Sequence, residues 1–100
     1  MNAKRWSQPA LDDIDAYVAY IQQDNRQAAE KWASRVFARG DMVARFPQSG
    51  RVVPEVGRDD VREVFVASHR LIYRVGKKGA QVLRVFHSAR VLHESDLSEE

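Results

Sequence analysis

The hydrophobic period of this chain changes once, and that change limits the folds open to it. Up to Phe46 the apolar residues recur every three or four positions; from Val61 onward they fall in short runs rich in valine and aromatic residues. The first pattern describes helices with one buried stripe, and the second describes strands. Pro47 to Asp60, which separates them, holds two prolines and two glycines and reads as a loop. The expected class is α+β, with a helical hairpin packed on an antiparallel sheet.

The elements follow from local signals. Lys4 to Ser7, with Trp6 as its one large apolar side chain, is expected as an edge strand. Ser7 or Gln8 can cap a helix that tolerates Pro9 in its first turn, and Asp12, Asp13 and Asp15 lie where they complement its dipole. Leu11, Ile14, Tyr17, Val18 and Ile21 form its apolar face, and Asp24-Asn25 ends it. The spacing of Ala29, Trp32, Val36, Val43 and Phe46 predicts a second helix over Arg26 to Arg45, stopped by Pro47. Trp32 and Phe37 fit helical core packing. Three strands are expected at Val61–Val66, His69–Val75 and Gln81–His87, with turns at Ala67-Ser68 and Gly76–Gly79. Ser88 to Glu100 is an acidic tail anchored by Val91, Leu92 and Leu97.

At 100 residues the chain has room for a single domain, 1–100, with one core. It contains no cysteine, which removes disulfides, thiol nucleophiles and cysteine-ligated metals. The longest apolar run, Ala16 to Ile21, is far shorter than the ~20 residues of a membrane span. No membrane contact is expected, and the setting that fits is cytoplasmic.

The net charge of +2 conceals an uneven distribution. Residues 1–60 are neutral, residues 61–93 carry +6, and residues 94–100 carry −4. A basic segment inside a neutral chain points to an anionic partner. Arg62, Arg74, Arg84 and Arg90 are the candidate contacts to nucleic acid or to another target.

Both hairpins imply a register. With Val66 opposite His69 and Val75 opposite Ala80, one face collects Arg62, Val64, Val66, His69, Leu71, Tyr73, Val82, Arg84 and Phe86. The other collects Glu63, Phe65, Arg70, Ile72, Arg74, Leu83, Val85 and His87. Both faces are apolar, a one-residue slip exchanges them, and one helical hairpin covers only one. The second face needs the tail, a second copy or another protein; another protein is expected, because large exposed apolar patches mark interfaces.

The run Val61 to Val75, with its Arg-Leu-Ile-Tyr-Arg core, resembles the central hairpin of the RelE/ParE superfamily of type II toxin–antitoxin toxins. Val85 to Leu92, with its His-x-x-Arg element, resembles the family's last strand, and Phe46-Pro47-x-x-Gly50-Arg51 resembles its loop after the second helix. The resemblance implies the order β-α-α-β-β-β and a cognate antitoxin that wraps the toxin and engages operator DNA. It implies two alternative targets. ParE-like members bind DNA gyrase and need no catalytic group; RelE-like members cleave mRNA on the ribosome.

Metal-free RNA cleavage requires an acid, a base and cations around one phosphate. Arg70 and His87 match catalytic positions of the YoeB-like branch, with Arg70 holding the phosphate and His87 as acid or base. Arg90 is a further candidate, and Glu55 is the one nearby acidic candidate. Ser88, however, stands where that branch has a stacking aromatic, and the lysine-rich surface of RelE proper is missing. The ParE-like reading is therefore preferred. A third reading is a degenerate member that binds only its antitoxin and operator. His69, His87 and His93 are not spaced as metal ligands, and neither metal nor cofactor is expected.

Overall fold

Ser7 starts the first helix. In the computed structural model, which describes residues 5–98, its hydroxyl accepts the Ala10 amide and donates to the Leu83 carbonyl at 2.8 Å. It thus caps helix α1 (Gln8–Gln22) and ties it to the sheet. Asn25 caps helix α2 (Arg26–Arg45) in the same way. Four strands follow: β1 (Arg51–Val52), β2 (Val61–Val66), β3 (His69–Gly76) and β4 (Gly79–His87), in the order β1-β2-β3-β4 and all antiparallel.

Two expectations about strands are corrected. Lys4 lies outside the described residues, and among the described ones Trp6 makes a single parallel bridge to Val82. There Ser7 donates to the Val82 carbonyl at 2.9 Å and Val82 to the Arg5 carbonyl at 2.7 Å. The element order is thus α-α-β-β-β-β. The additional strand, β1, comes from the proline- and glycine-rich stretch read as loop. Its two residues pair with Arg62 and Glu63, too short a segment to show a period.

The register is right at both turns and wrong beyond one point. Val66 faces His69 and Val75 faces Ala80 as expected, but Tyr73 faces Val82 while Ile72 faces Arg84, so Leu83 is an extra residue in β4. Such a bulge turns every later side chain over. Strict alternation would seat Arg84 between Val82 and Phe86 on one face. The bulge instead carries its guanidinium to the sheet edge, where Asp13 receives both nitrogens at 2.8 and 2.9 Å. Asp13 also accepts the Val85 amide of that edge at 2.9 Å. Its role is this clamp, not complementing the helix dipole. Val85 and His87 consequently face the helices, and Phe86 faces away.

The helices cover Val64, Val66, Leu71, Tyr73, Val82 and Val85, with Ala10, Ile14, Trp32, Val36 and Val43 completing that core. Phe37 is half-exposed and rests edge-on against Trp6. The second face carries Val61, Ile72, Leu83 and Phe86, and the chain covers it itself, with Val53 before β2 and with Leu92 and Leu97 from the tail. The expectation that another protein must cover this face is therefore corrected. The tail supplies two buried leucines, Leu92 and Leu97, the second of them in a 3-10 turn over Glu94–Leu97; Glu99 and Glu100 lie outside the described residues.

Trp6 packs against α2 at Gly40, and a Cβ there would clash with the indole Cζ2 and Cη2. Replacing Gly40 by Ala gains about 1 kcal/mol of helix propensity but forces ~1–3 kcal/mol of overpacking. Thermal unfolding of Gly40→Ala is expected to show a lowered Tm; a raised Tm would mean that Trp6 does not pack there.

Candidate functional site

Arg70 is the most heavily bonded side chain on the second face. Only 5 % exposed, it stands in β3 opposite Phe65 and Phe86. Its Nε donates to Glu63 at 2.7 Å, and its two terminal nitrogens grip Glu55 bidentately, both at 2.8 Å. One of them also reaches the Arg90 carbonyl at 3.2 Å. Glu63, 1 % exposed, takes its second partner from Arg51 Nε at 2.7 Å. Glu55 also accepts the Leu92 amide at 3.2 Å. The guanidinium thereby joins sheet, loop and tail, and four of its five N–H donors are committed to doing so.

The other expected cations are likewise drawn into the fold. Arg62 donates to the Asp59 and Gly50 carbonyls, holding the loop before β2. Arg74 reaches the Leu97 carbonyl at 3.5 Å. Arg84 joins Asp13 to Asp96, and Arg90 pairs with the same Asp96 at 3.3 Å while lying 3.9 Å over the Phe86 ring. Asp96 of the tail and Asp13 of α1 thus pair with Arg84 and Arg90 from within the chain. Arg84 and Arg70 both titrate above the ordinary arginine value, chiefly through hydrogen bonds to Asp13 and Glu55 respectively.

His87 lies on the opposite side of the sheet from Arg70. The bulge sets it directly across from His69, with ring centroids 5.4 Å apart. His69 is buried against Tyr17 and Trp32 at 4.2 and 4.9 Å. Burial, then the neighbouring His87, pushes His69 below the usual histidine value against the pull of Asp13. The exposed His87 accepts the Ala89 amide on Nδ1 at 3.1 Å, so its neutral form carries the proton on Nε2. His87, Arg90, Tyr17 and Tyr20 line one open cleft of about 310 Å³. An imidazole, a guanidinium and two phenol rings can stack on a planar group and hold an anion. The expected pairing of Arg70 with His87 on one face is therefore corrected; Arg90 is the arginine beside His87. No group of His, Asp or Glu among the described residues is arranged to hold a metal ion.

A second surface was missed in the sequence. Met42, Phe46 and Phe65 are 45, 58 and 46 % exposed. Phe46 continues the apolar period of α2, yet at the helix's C-terminal cap it lies past the core. Phe65 alternates outward from Val64 and Val66, and only its place on an otherwise covered face could have marked it. A groove of about 370 Å³ between α2 and β2 is lined by Arg35, Arg39, Met42 and Phe65.

The clasp around Arg70 makes stability depend on acid. The Arg70 hydrogen bonds, opposed by partial burial, hold the Glu55 carboxyl at about 2 instead of 4.5. A carboxyl lowered on folding stabilises fully above its unfolded value, and that stabilisation is lost as pH falls from about 4.5 towards 2. Urea unfolding across that window should show a decline in stability that Glu55→Gln flattens; an unchanged slope would mean the pair is not formed.

The ParE toxin of type II toxin-antitoxin system, parDE, is the family whose profile matches residues 5–92. Toxin RelE2 of Caulobacter vibrioides is 30% identical over 86 residues, covering 86% of this chain and 94% of its own length. A solved structure described as the chromosomal ParDE TA system from P. aeruginosa matches with a TM-score of 0.68 at 22% identity, over 87% of this chain and 96% of that one, a likeness of fold. With its two capped helices laid across a four-stranded antiparallel sheet, this chain belongs to the ParE toxin family of type II toxin–antitoxin systems, within the RelE/ParE superfamily.

Proposed function

We propose that this toxin acts in the ParE manner, inhibiting growth by binding DNA gyrase in the cytoplasm. A cognate antitoxin neutralises it and carries the complex to operator DNA, an arrangement that also serves plasmid stabilisation. The supporting observation is the separation of Arg70 from His87. RNA cleavage needs an acid–base group and a phosphate-holding cation around one phosphate. Here the sheet stands between them, and four of the five N–H donors of Arg70 are already taken by Glu55, Glu63 and the Arg90 carbonyl. A gyrase poison asks only for a rigid surface. In this reading Arg70 is a positioning residue and Arg62, Arg74 and Arg84 serve the fold, while His87 and Arg90 contribute surface.

One observation favours a second reading, RelE-type mRNA cleavage on the ribosome. His87 and Arg90 share their cleft with Tyr17 and Tyr20, which could stack on a base. There His87 would be the acid or base and Arg90 the phosphate cation.

Expression of the chain alone separates these readings. The ParE reading predicts induction of the DNA-damage response, gyrase cleavage complexes, and toxicity of His87→Ala within about twofold of the parent. Transcripts cut at codon boundaries within minutes, with cutting reduced about 10²–10⁴-fold in His87→Ala, would establish the second reading instead. Normal growth without either signature would indicate a degenerate member.

A further inference from the structure

β4 is the last strand of the sheet, and its outer edge binds a carboxylate of the chain itself. Val85 donates its amide to Asp13 at 2.9 Å, and the neighbouring Arg84 closes on the same carboxylate. Asp13 shows which chemistry suits this edge: an oxyanion held by one backbone amide and one guanidinium. His87 repeats the arrangement two residues on. Ser88 donates to the Ser68 carbonyl at 2.7 Å, so antiparallel alternation turns the His87 amide, like that of Val85, to the outer edge. Among the described residues no acceptor of the chain meets it there.

The turn after β4 brings a cation to the same place. Arg90 donates its amide to the His87 carbonyl at 3.0 Å, and Ala89 donates to His87 Nδ1 at 3.1 Å. The second bond leaves Nε2–H as the donor of the neutral ring. The Arg90 side chain is half-exposed, gives one terminal nitrogen to Asp96 at 3.3 Å and is held over Phe86. Asp13 lines the cleft too, but Arg84 already balances its charge. The other wall is aromatic. Tyr17 and Tyr20, one turn apart on α1, hold their rings 6.0 Å apart and 29° from parallel. His69 and Trp32 back Tyr17 at 4.2 and 4.7 Å, while Tyr20 is 69 % exposed. The cleft of about 310 Å³ suits one planar ring system with one anionic group.

We infer that the cleft between α1 and the end of β4 binds a nucleoside monophosphate, free or at the end of a single strand. Its phosphate takes the His87 amide, His87 Nε2–H and Arg90, as the Asp13 carboxylate takes the Val85 amide and Arg84. Its base stacks on Tyr20, which any base can do because each has a π face. No bond is made or broken in this binding, so the inference stands whichever target the toxin has.

NMR titration of the full chain tests it with AMP, adenosine, inorganic phosphate and a short single-stranded oligodeoxyadenylate carrying a 5′-phosphate. AMP should shift the His87 amide and the Tyr20 ring, and bind at least about tenfold more tightly than adenosine or phosphate alone. Tyr20→Ala should weaken AMP binding about tenfold, while Tyr20→Phe, which keeps the ring, stays within about twofold of the parent. Arg90→Met, which keeps an apolar contact with Phe86 but not the charge, should weaken it about tenfold, with circular dichroism confirming the fold. An oligonucleotide that binds more tightly than AMP assigns the site to a strand end; otherwise it belongs to the free nucleotide, and either result supports the site. Adenosine or phosphate binding as tightly as AMP would overturn the inference. So would shifts confined to residues outside the cleft, no binding of either nucleotide probe, or an AMP affinity that Tyr20→Ala and Arg90→Met both leave unchanged.

Discussion

One guanidinium holds the two halves of the second sheet face together. Arg70 ties the buried Glu63 of β2 to Glu55 of the preceding loop and to the backbone at Arg90, where the tail begins. Without that junction the apolar residues Ile72, Leu83 and Phe86 would lack the cover that Val53, Leu92 and Leu97 provide. An ion pair this buried need not exceed an apolar replacement in net stability, but breaking it costs about 3–5 kcal/mol because a charge is left uncompensated. Its contribution is position: it fixes where the loop and tail cross the sheet.

The same logic governs the rest of the basic segment. A bulge at Leu83 moves Arg84 out of the apolar alternation and into the grip of Asp13, and the tail's Asp96 then receives both Arg84 and Arg90. The turn carrying Lys77 and Lys78 stays exposed. The +6 segment is therefore largely an internal scaffold, and the surface left with unneutralised arginines is on α2, in a region of the sequence that is neutral overall. Charge counted along a sequence shows where cations are concentrated, not which face of the fold they leave uncompensated.

Much of this fold was legible in the residues. The cap at Ser7 or Gln8 and the break at Asp24-Asn25 marked the helices, Pro47 ended the second, and Ala67-Ser68 and Gly76–Gly79 placed the turns, because caps and turns are decided locally. What escaped depended on partners distant in sequence. The bulge sets Arg84 against Asp13, 71 residues away, and no pattern inside β4 states that pairing. Strict alternation through β4 places Arg70 and His87 on one face, and the single extra residue puts them on opposite faces. The tail's role was open for the same reason: two leucines suffice as a cover only once Arg70 and Glu55 set the path that brings them over the sheet.

The claim that Arg70 is committed to the fold is tested most directly by a double-mutant cycle. Urea unfolding at neutral pH would compare the parent, Arg70→Met, Glu55→Gln and the double variant. The structure predicts a favourable coupling energy of about 1–3 kcal/mol between the two positions, as for groups sharing one hydrogen-bonded network. A coupling near zero, with Arg70→Met as stable as the parent, would contradict it and return Arg70 to the surface as a group free to bind phosphate.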